Sequence, residues 1–236
     1  MDDQVEAQRA YYARTAEHYE AMHVTDDDEH GIALASFAGL ARLFRATSVL
    51  DVGAGTGRAL GKLSDALPGA RIVGIEPVAE LRKIGHDNGV PAEQLCDGDA
   101  LALPFADDSF DFVIETAVLH HVPEPAKAVA EMMRVARVGV MISDSNNYGQ
   151  GSPLARRIKG TIERLGLWPT WIRLSTRGKI ARWSEGDGVF YSYSVFNNRA
   201  LVARKFPRQF LMNTAPLHGT DLKAGAGSVL LFAVKA

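Results

Sequence analysis

Residues 49–58, VLDVGAGTGR, combine an acid with three glycines at every second position. Gly53, Gly55 and Gly57 follow an apolar run, and this pattern predicts a strand that turns sharply into a helix, because glycine has no Cβ and tolerates positive φ. Loops of this kind bind phosphates, dinucleotides and other nucleoside ligands. The Asp51 carboxylate would repel a pyrophosphate at the helix N-terminus. It favours a ligand with a cationic end, such as an ammonium or sulfonium group.

The loop departs from two common nucleotide-binding motifs. A P-loop ends in Gly-Lys-Ser/Thr, where this chain has Gly-Arg-Ala. The dinucleotide fingerprint spaces its glycines as G-x-G-x-x-G, which this loop does not do. An NAD-dependent oxidoreductase has the same kind of sheet and an acid after its second strand, so it stays as an alternative.

Two further acids follow later apolar runs. Glu76 comes about 20 residues after the last glycine of the loop, a spacing at which an acid can accept hydrogen bonds from ribose hydroxyls. Asp99 could accept a hydrogen bond from an exocyclic amine, and the Ala100 amide could reach a ring nitrogen, which together would recognise adenine. Open α/β sheets bind ligands at the carboxyl ends of their strands, where all these acids are expected.

Short apolar runs alternate with helical patterns along the chain. The predicted strands cover 48–53, 71–76, 94–98, 110–115 and 138–144. The predicted helices cover 4–22, 57–67, 78–88 and 124–137. An acidic run, Asp26 to Glu29, predicts the N-cap region of a further helix. The alternation predicts a parallel sheet covered on both faces, and two closing strands, 208–215 and 228–236, predict an antiparallel hairpin.

Four segments together resemble a known family: LDVGAGTG, GIEP, GDALALPFADDSFD and VLHHVPEP. The sequence is similar to the class I S-adenosylmethionine-dependent methyltransferases of the type 11 small-molecule group, strongly over residues 45–145. The resemblance implies an α/β fold: a Rossmann-like seven-stranded mostly parallel sheet with an antiparallel last strand and helices on both faces. It also implies S-adenosyl-L-methionine as cofactor.

The resemblance assigns cofactor contacts position by position. The glycine loop would hold the methionine end, the acid after the second strand the ribose, and the GDA segment the adenine. Tyr19 would close over the cofactor. The cofactor-binding residues implied are Tyr19, Asp51, Gly53, Gly55, Gly57, Glu76, Pro77, Asp99, Ala100, Glu115 and Thr116.

We expect a single methyltransferase domain over 1–236 with four parts. They are an N-terminal cap helix (1–30), the cofactor-binding core (45–145), a lid inserted after the fifth strand (146–190), and a C-terminal helix with the edge hairpin (191–236).

Histidines at the carboxyl edge provide a candidate base. A methyl acceptor with a hydroxyl group benefits from a base whose pKa lies near the working pH, as that of histidine does. His120 and His121 follow the fourth predicted strand, and Asp144 follows the fifth. We expect one histidine of the pair to be catalytic, with His121 ahead of His120, and O-methylation of a sugar, secondary metabolite or lipid-linked acceptor.

We predict no metal requirement. Asp144, Asn146 and Asn147 supply oxygen atoms of the type that bind magnesium, but the acid and amides are not adjacent.

A non-enzymatic alternative is a subunit that binds S-adenosylmethionine and only supports a catalytic partner.

Residues 152–183 are strongly basic within a chain whose formal net charge is −2. The basic residues are Arg156, Arg157, Lys159, Arg164, Arg173, Arg177, Lys179 and Arg182. The same segment contains all three tryptophans, Trp168, Trp171 and Trp183. Its arginines could grip an acidic acceptor, or the segment could lie on an anionic membrane with a lipid-linked acceptor.

Composition narrows the class of protein further. The near-neutral charge gives no reason to expect nucleic acid as a partner. The acidic N-terminus does not resemble a secretory signal, no apolar run is long enough to span a bilayer, and Cys96 is the only cysteine. We expect a cytoplasmic protein acting on a small molecule, and the sequence leaves open whether it forms a homodimer.

Overall fold

The computed structural model describes residues 2–20, 28–176, 178 and 181–236, and contains a seven-stranded sheet in the order β3-β2-β1-β4-β5-β9-β8. Its strands are β1 (Ser48–Val52), β2 (Arg71–Ile75), β3 (Leu95–Cys96), β4 (Phe110–Thr116), β5 (Ala136–Ser145), β8 (Arg208–Asn213) and β9 (Ser228–Val234). Strands β1 to β5 are parallel, and β9 runs antiparallel to both β5 and β8. The predicted fold class is confirmed.

Helices cover both faces of the sheet. They are α1 (Asp2–Thr15), α2 (Glu29–Leu43), α3 (Arg58–Ala66), α4 (Ala79–Asp87), α5 (Pro125–Val135), α6 (Pro153–Arg164), α7 (Trp168–Ser175), α8 (Val195–Val202) and α9 (Leu222–Gly225). Successive residues of a strand point to opposite faces of the sheet, and each face has its own apolar core. Val49 therefore packs in one core and Leu50 in the other. This two-residue period explains why the central strands read as continuous apolar runs.

The acidic run before α2 provides its N-cap, as predicted. Asp28 is the N-cap of α2, and one of its carboxylate oxygens accepts the Gly31 N–H at 2.6 Å. Asp26 and Asp27 of the same acidic run, and residues 21–22 of the predicted first helix, lie outside the described residues. The predicted helix 124–137 is shorter than expected, because α5 ends at Val135 and β5 begins at the next residue.

The insertion after β5 contains regular structure that its composition did not indicate. It holds α6, α7 and a separate two-stranded hairpin, β6 (Ala181–Ser184) with β7 (Gly188–Tyr191). Neither α6 nor α7 has a fully buried residue, so the apolar residues of these helices do not form a core-facing stripe. Arg177 and Lys179 of the basic segment lie outside the described residues. No helix in the described ranges combines the length and apolarity needed to cross a membrane.

The order of the strands determines where a ligand can bind. The chain runs from β1 outward to β2 and β3, then returns to the other side of β1 with β4 and β5. A crevice therefore opens at the carboxyl ends of β1 and β4, the switch point at which open α/β sheets bind ligands.

Asn146 ties the end of β5 to the C-terminal part of the chain. Its Nδ2 donates to the carbonyls of Lys223 (2.8 Å) and Ala226 (2.7 Å), and its Oδ1 accepts from the Ser194 hydroxyl (2.8 Å). All of these bonds are made by a fully buried side chain.

Replacing Asn146 should destabilise the fold. Asn146→Ala removes the side-chain donor from two carbonyls and the acceptor from the Ser194 hydroxyl, and we expect a loss of about 2–4 kcal/mol in the free energy of unfolding, measured by urea denaturation. Asn88→Ala is the matched control, because the exposed Asn88 side chain donates to the Glu20 side chain at 3.1 Å and to no other group in the described part of the chain. Equal stability of the two variants would contradict this account of Asn146.

Candidate active site

A cavity of ≈620 Å³ opens at the carboxyl edge of the sheet. Most of the residues predicted from the sequence lie in its wall: Tyr19, Asp51, Gly53, Glu76, Pro77, Asp99, Ala100, Thr116, His120, His121 and Asp144. Gly55, Gly57 and Glu115 lie behind the wall. Helix α1, the start of α2 and the β6–β7 hairpin complete the enclosure.

All three glycines of the loop adopt positive φ, at 76°, 55° and 89° for Gly53, Gly55 and Gly57. A Cβ on Gly55 would come within 2.9 Å of the Tyr19 hydroxyl, and one on Gly53 within 2.4 Å of Val118. The glycines thus clear space for protein side chains, whereas the sequence suggested space for the ligand itself. Their left-handed backbone lets the loop turn into α3 directly beneath Tyr19.

Asp51 and Glu76 form a buried acidic pair beside this loop. Glu76 accepts the N–H groups of Gly55 (3.1 Å) and Val78 (2.9 Å), whereas Asp51 Oδ1 is buried without a hydrogen-bond partner among the described residues. Burial, together with the Glu76 carboxylate, raises the pKa of Asp51 to about 7. Burial also raises the pKa of Glu76, against the lowering effect of its two N–H donors. This pair would be stabilised by a cationic ligand.

Asp99 differs from the other acids because it is partly exposed. One carboxylate oxygen accepts the Leu101 N–H at 2.8 Å, and the other forms an ion pair with Arg9 of α1 at 2.7 Å. Arg9 also lies in the cavity wall, so α1 closes this end of the cavity.

His120 is held by Asp144, as the sequence suggested for one of the two histidines. Nδ1 of His120 lies 2.7 Å from Asp144 Oδ1, and the His120 backbone N–H donates to the other oxygen at 3.2 Å. Nε2 lies 3.5 Å from Asp187 Oδ2. Burial alone would lower the pKa of His120, but the carboxylates of Asp144 and Asp187 raise it to about 10.

Behind this pair, Glu115 is completely buried next to Asp144. Its Oε2 accepts the Val118 N–H at 3.0 Å, and its Oε1 has no partner among the described residues. Burial and the Asp144 charge raise the pKa of Glu115 well above its usual range. The shift favours the protonated form of Glu115, whereas the neighbouring His120 imidazole lowers the pKa of Asp144 against the effect of burial.

The surroundings of His121 are more crowded. Its Nδ1 lies 2.7 Å from the Val189 carbonyl and 3.0 Å from Gln8 Nε2. Its Nε2 lies 3.0 Å from the Tyr12 hydroxyl and 3.3 Å from Asp187 Oδ1. His121 thus links α1 to the β6–β7 hairpin.

Asp187 is the site residue that sequence reasoning missed. It lies in the turn of the hairpin, after the basic segment, where only its neighbouring glycines indicate a turn. Gln8 holds this turn by accepting the Val189 N–H (2.5 Å) and donating to the Asp187 carbonyl (3.0 Å). His120, His121 and Asp187 each bring one atom within 4.8 Å of the others, a spacing that a metal ion could also use.

The amides considered as magnesium ligands have other partners. Asn146 uses its side chain for the bonds to Ser194, Lys223 and Ala226. Asn147 Nδ2 donates to the Ser192 hydroxyl at 2.7 Å, while its Oδ1 has no partner in the described part of the chain.

The basic segment does not reach the cavity. None of its described residues between 152 and 183 contributes to the cavity wall, to which the insertion contributes Gln150 and Asp187. The described arginines predicted to grip an acceptor are therefore not part of the cavity wall.

Known proteins match this chain in sequence. Residues 50–143 match the sequence profile of a family described as a methyltransferase domain, type 11. A demethylmenaquinone methyltransferase of Roseiflexus castenholzii is 37% identical over 162 residues, covering 66% of each chain. The corresponding protein of Renibacterium salmoninarum is 44% identical over 91 residues, which is 39% of this chain and 37% of the relative. The chain thus spans between about a third and two thirds of the length of these relatives.

The fold also has solved counterparts. The magnesium protoporphyrin IX methyltransferase of Synechocystis, solved with bound S-adenosylhomocysteine, superposes with a TM-score of 0.60 at 15% identity, over 99% of this chain and all of the other. The chain belongs to the class I S-adenosylmethionine-dependent methyltransferases, type 11 group. S-adenosylmethionine is accordingly its cofactor, as predicted.

Gly55 provides a test of the loop. Gly55→Ala puts a Cβ where φ is +55° and 2.9 Å from the Tyr19 hydroxyl, so it should strain the loop by about 1–3 kcal/mol. We expect affinity for S-adenosylhomocysteine, measured by calorimetry, to fall about tenfold or more. Gly61→Ala is the control, because nothing lies within 4 Å of its Cβ position. If Gly55→Ala changed neither the affinity for S-adenosylhomocysteine nor the melting temperature, the loop would not be the part of the chain that binds the cofactor.

Asp51 provides a pH test. Its pKa of about 7 should fall when the cationic end of a ligand binds beside it, because an opposite charge favours the ionised carboxylate. Affinity for S-adenosylhomocysteine should therefore be full above this pKa and weaken below it, by up to about tenfold per pH unit.

Calorimetry across this pH range measures the effect. Asp51→Asn should bind more weakly at high pH and lose this part of the pH dependence, whereas Asp65→Asn, at an exposed position on α3, should behave like the wild type. A wild-type affinity that stays constant through neutral pH would contradict the role given to Asp51.

Proposed function

We propose that this chain transfers a methyl group from S-adenosylmethionine to a hydroxyl oxygen of a small molecule. The observation that carries the proposal is the His120–Asp144 pair in the cavity wall, an imidazole oriented by a buried carboxylate. The similarity to relatives named demethylmenaquinone methyltransferase supports a small-molecule acceptor. The cytoplasmic location inferred from the sequence is part of the same proposal.

The residues around the glycine loop fit the cofactor. Asp51 Oδ1 is buried without a hydrogen-bond partner in the described part of the chain, and a carboxylate in that position favours a cation. Glu76 keeps lone pairs beyond those used by its two N–H donors, which suits ribose hydroxyls. Tyr19 lies over the loop and would cover the bound cofactor. When bound, S-adenosylmethionine would supply an electrophilic methyl group from its sulfonium; the product S-adenosylhomocysteine has a neutral thioether in its place and keeps the cationic ammonium group.

We assign the base to His120 and a positioning function to His121, which reverses the order expected from sequence. Nδ1 of His120 donates to Asp144, so its Nε2 is the atom that can accept the proton of an acceptor hydroxyl. Asp144 then stabilises the imidazolium that forms. Both ring nitrogens of His121 are already engaged, by Val189 on one side and Tyr12 on the other. The acceptor oxygen forms its bond to the methyl carbon as the hydroxyl proton moves to His120.

The raised pKa of His120 determines the pH dependence. With a pKa of about 10, the imidazole is mostly protonated at neutral pH and only a small fraction is available as a base. We therefore expect kcat/KM to rise with pH towards this pKa, since kcat/KM reports the ionisation of the free enzyme.

The variant Asp187→Asn tests whether this pH dependence comes from ionisation of His120 or from ionisation of the acceptor. Removing a negative charge beside His120 lowers its pKa, so the rising limb of the kcat/KM profile should move to lower pH. An acceptor hydroxyl keeps its own pKa in both proteins. Asp97→Asn, a carboxylate paired with Arg82 away from the cavity wall, is the matched control and should leave the profile in place.

His120→Ala should lower kcat by about 10²–10⁴ while S-adenosylhomocysteine still binds. Near-normal turnover in His120→Ala, or a kcat/KM profile that does not move in Asp187→Asn, would contradict the assignment of His120 as the base.

Mass spectrometry of the product distinguishes a methyl ether from methylation at nitrogen or carbon. An active protein also rules out a subunit that only binds the cofactor, and reduction of NAD without methyl transfer would favour the oxidoreductase alternative.

A further inference from the structure

The outer surface of the insertion exposes an unusual number of large apolar side chains. Of the twelve such side chains exposed among the described residues, seven lie between 154 and 183. They are Leu154, Ile158, Leu165, Leu167, Trp171, Leu174 and Trp183. Exposed apolar groups concentrated in one segment mark an interaction surface, whereas scattered ones do not.

Helix α6 has its polar side towards the protein. Lys159 Nζ donates to the carbonyls of Asn147 (2.7 Å) and Gln150 (3.0 Å), and Glu163 pairs with Lys223 of α9 at 2.7 Å. Leu154 and Ile158, one turn apart, are 68% and 46% exposed. A surface helix normally buries its apolar stripe, so this orientation leaves an apolar stripe that needs another partner.

The same surface is positively charged. Arg157 and Arg164 on α6, Arg173 on α7 and Arg182 on β6 are all exposed. The acid in this segment, Glu163, is neutralised by Lys223. None of these four arginines lies in the cavity wall, so their charge is available outside the active site.

We propose that this surface, which we call the basic apolar face (the seven apolar side chains and the four arginines above), binds the surface of an anionic lipid bilayer. Leucine and tryptophan side chains enter the boundary between headgroups and acyl chains, while arginines stay at the level of the lipid phosphates. A soluble polyanion would account for the arginines but would leave the apolar side chains in water. The combination of both features selects the lipid surface.

The three tryptophans provide a direct readout, because the chain has no others. Trp171 and Trp183 are exposed, and Trp168 packs against Tyr148 with ring centroids 4.9 Å apart. Vesicles of phosphatidylglycerol and phosphatidylcholine in equal parts should shift tryptophan emission to the blue and carry the whole chain to the top of a flotation gradient. Vesicles of phosphatidylcholine alone should bind much more weakly, and added salt should weaken binding to the mixed vesicles.

Two double variants separate the contribution of the apolar side chains to vesicle binding from that of the arginines. Leu154→Glu with Ile158→Glu, and Arg157→Glu with Arg164→Glu, should each weaken vesicle binding by about tenfold or more. Leu43→Glu and Arg204→Glu are matched controls, because both positions are exposed outside the insertion and should bind vesicles as the wild type does. Circular dichroism and melting temperature establish that the variants fold.

Three results would overturn the proposal. The first is a wild-type chain that neither floats with the mixed vesicles nor changes its emission. The second is a folded Leu154→Glu, Ile158→Glu variant that binds vesicles as tightly as Leu43→Glu does. The third is binding to heparin, a lipid-free polyanion, together with tryptophan emission that mixed vesicles leave unchanged.

Discussion

The arrangement of this site depends on burying several carboxylates at one edge of one sheet. Asp51, Glu76, Glu115 and Asp144 lie at the carboxyl ends of β1, β2, β4 and β5, all shielded from water. Burying a negative charge costs free energy unless it is neutralised, hydrogen-bonded or paired. The free-energy cost of burial is offset differently at each of the four acids. Each acid therefore has its own hydrogen-bond partners and its own pKa shift.

Glu76 is stabilised by backbone N–H groups, burial raises the pKa of Glu115 and so favours its protonated form, and Asp144 has the His120 imidazole beside it. Asp51 has an oxygen without a hydrogen-bond partner among the described residues and a pKa of about 7. It is therefore the acid that gains most from an incoming cation. The part of the cavity near β1 is thus suited to the cofactor, and the part near β5 to proton transfer.

The sheet and its edge could be read from the sequence because both depend on short-range patterns. Apolar runs ending in acids gave the strands and placed Asp51, Glu76 and Asp144 at the carboxyl ends, where they lie. The pairing of Asp144 with His120 rather than His121 could not be read, since neighbouring residues in a tight turn point in different directions. Asp187 had no signal, because its position depends on Gln8 holding the hairpin turn from far away in the sequence.

The insertion shows a different limit of sequence patterns. The spacing of Leu154 and Ile158 is compatible with a helix, but spacing alone does not tell which side faces the protein. That depends on carbonyl groups of Asn147 and Gln150 available to Lys159, and on Lys223 available to Glu163. In this helix polar bonds fix the inner side, and the apolar side is left for another partner.

The bonds between α1 and the hairpin join residues almost at opposite ends of the chain. Gln8 and Val189 are 181 positions apart, and Tyr11, whose hydroxyl donates to the Glu185 carbonyl, is 174 positions from that residue. Contacts of such sequence separation form late, because the entropy of closing a long loop opposes them until other structure brings the ends together. Strands β1 to β5, which carry the acidic edge, all precede the hairpin in the chain, whereas β8 and β9 follow it. The acidic edge can thus form while it is still open, and α1 can enclose it only after the hairpin has been synthesised.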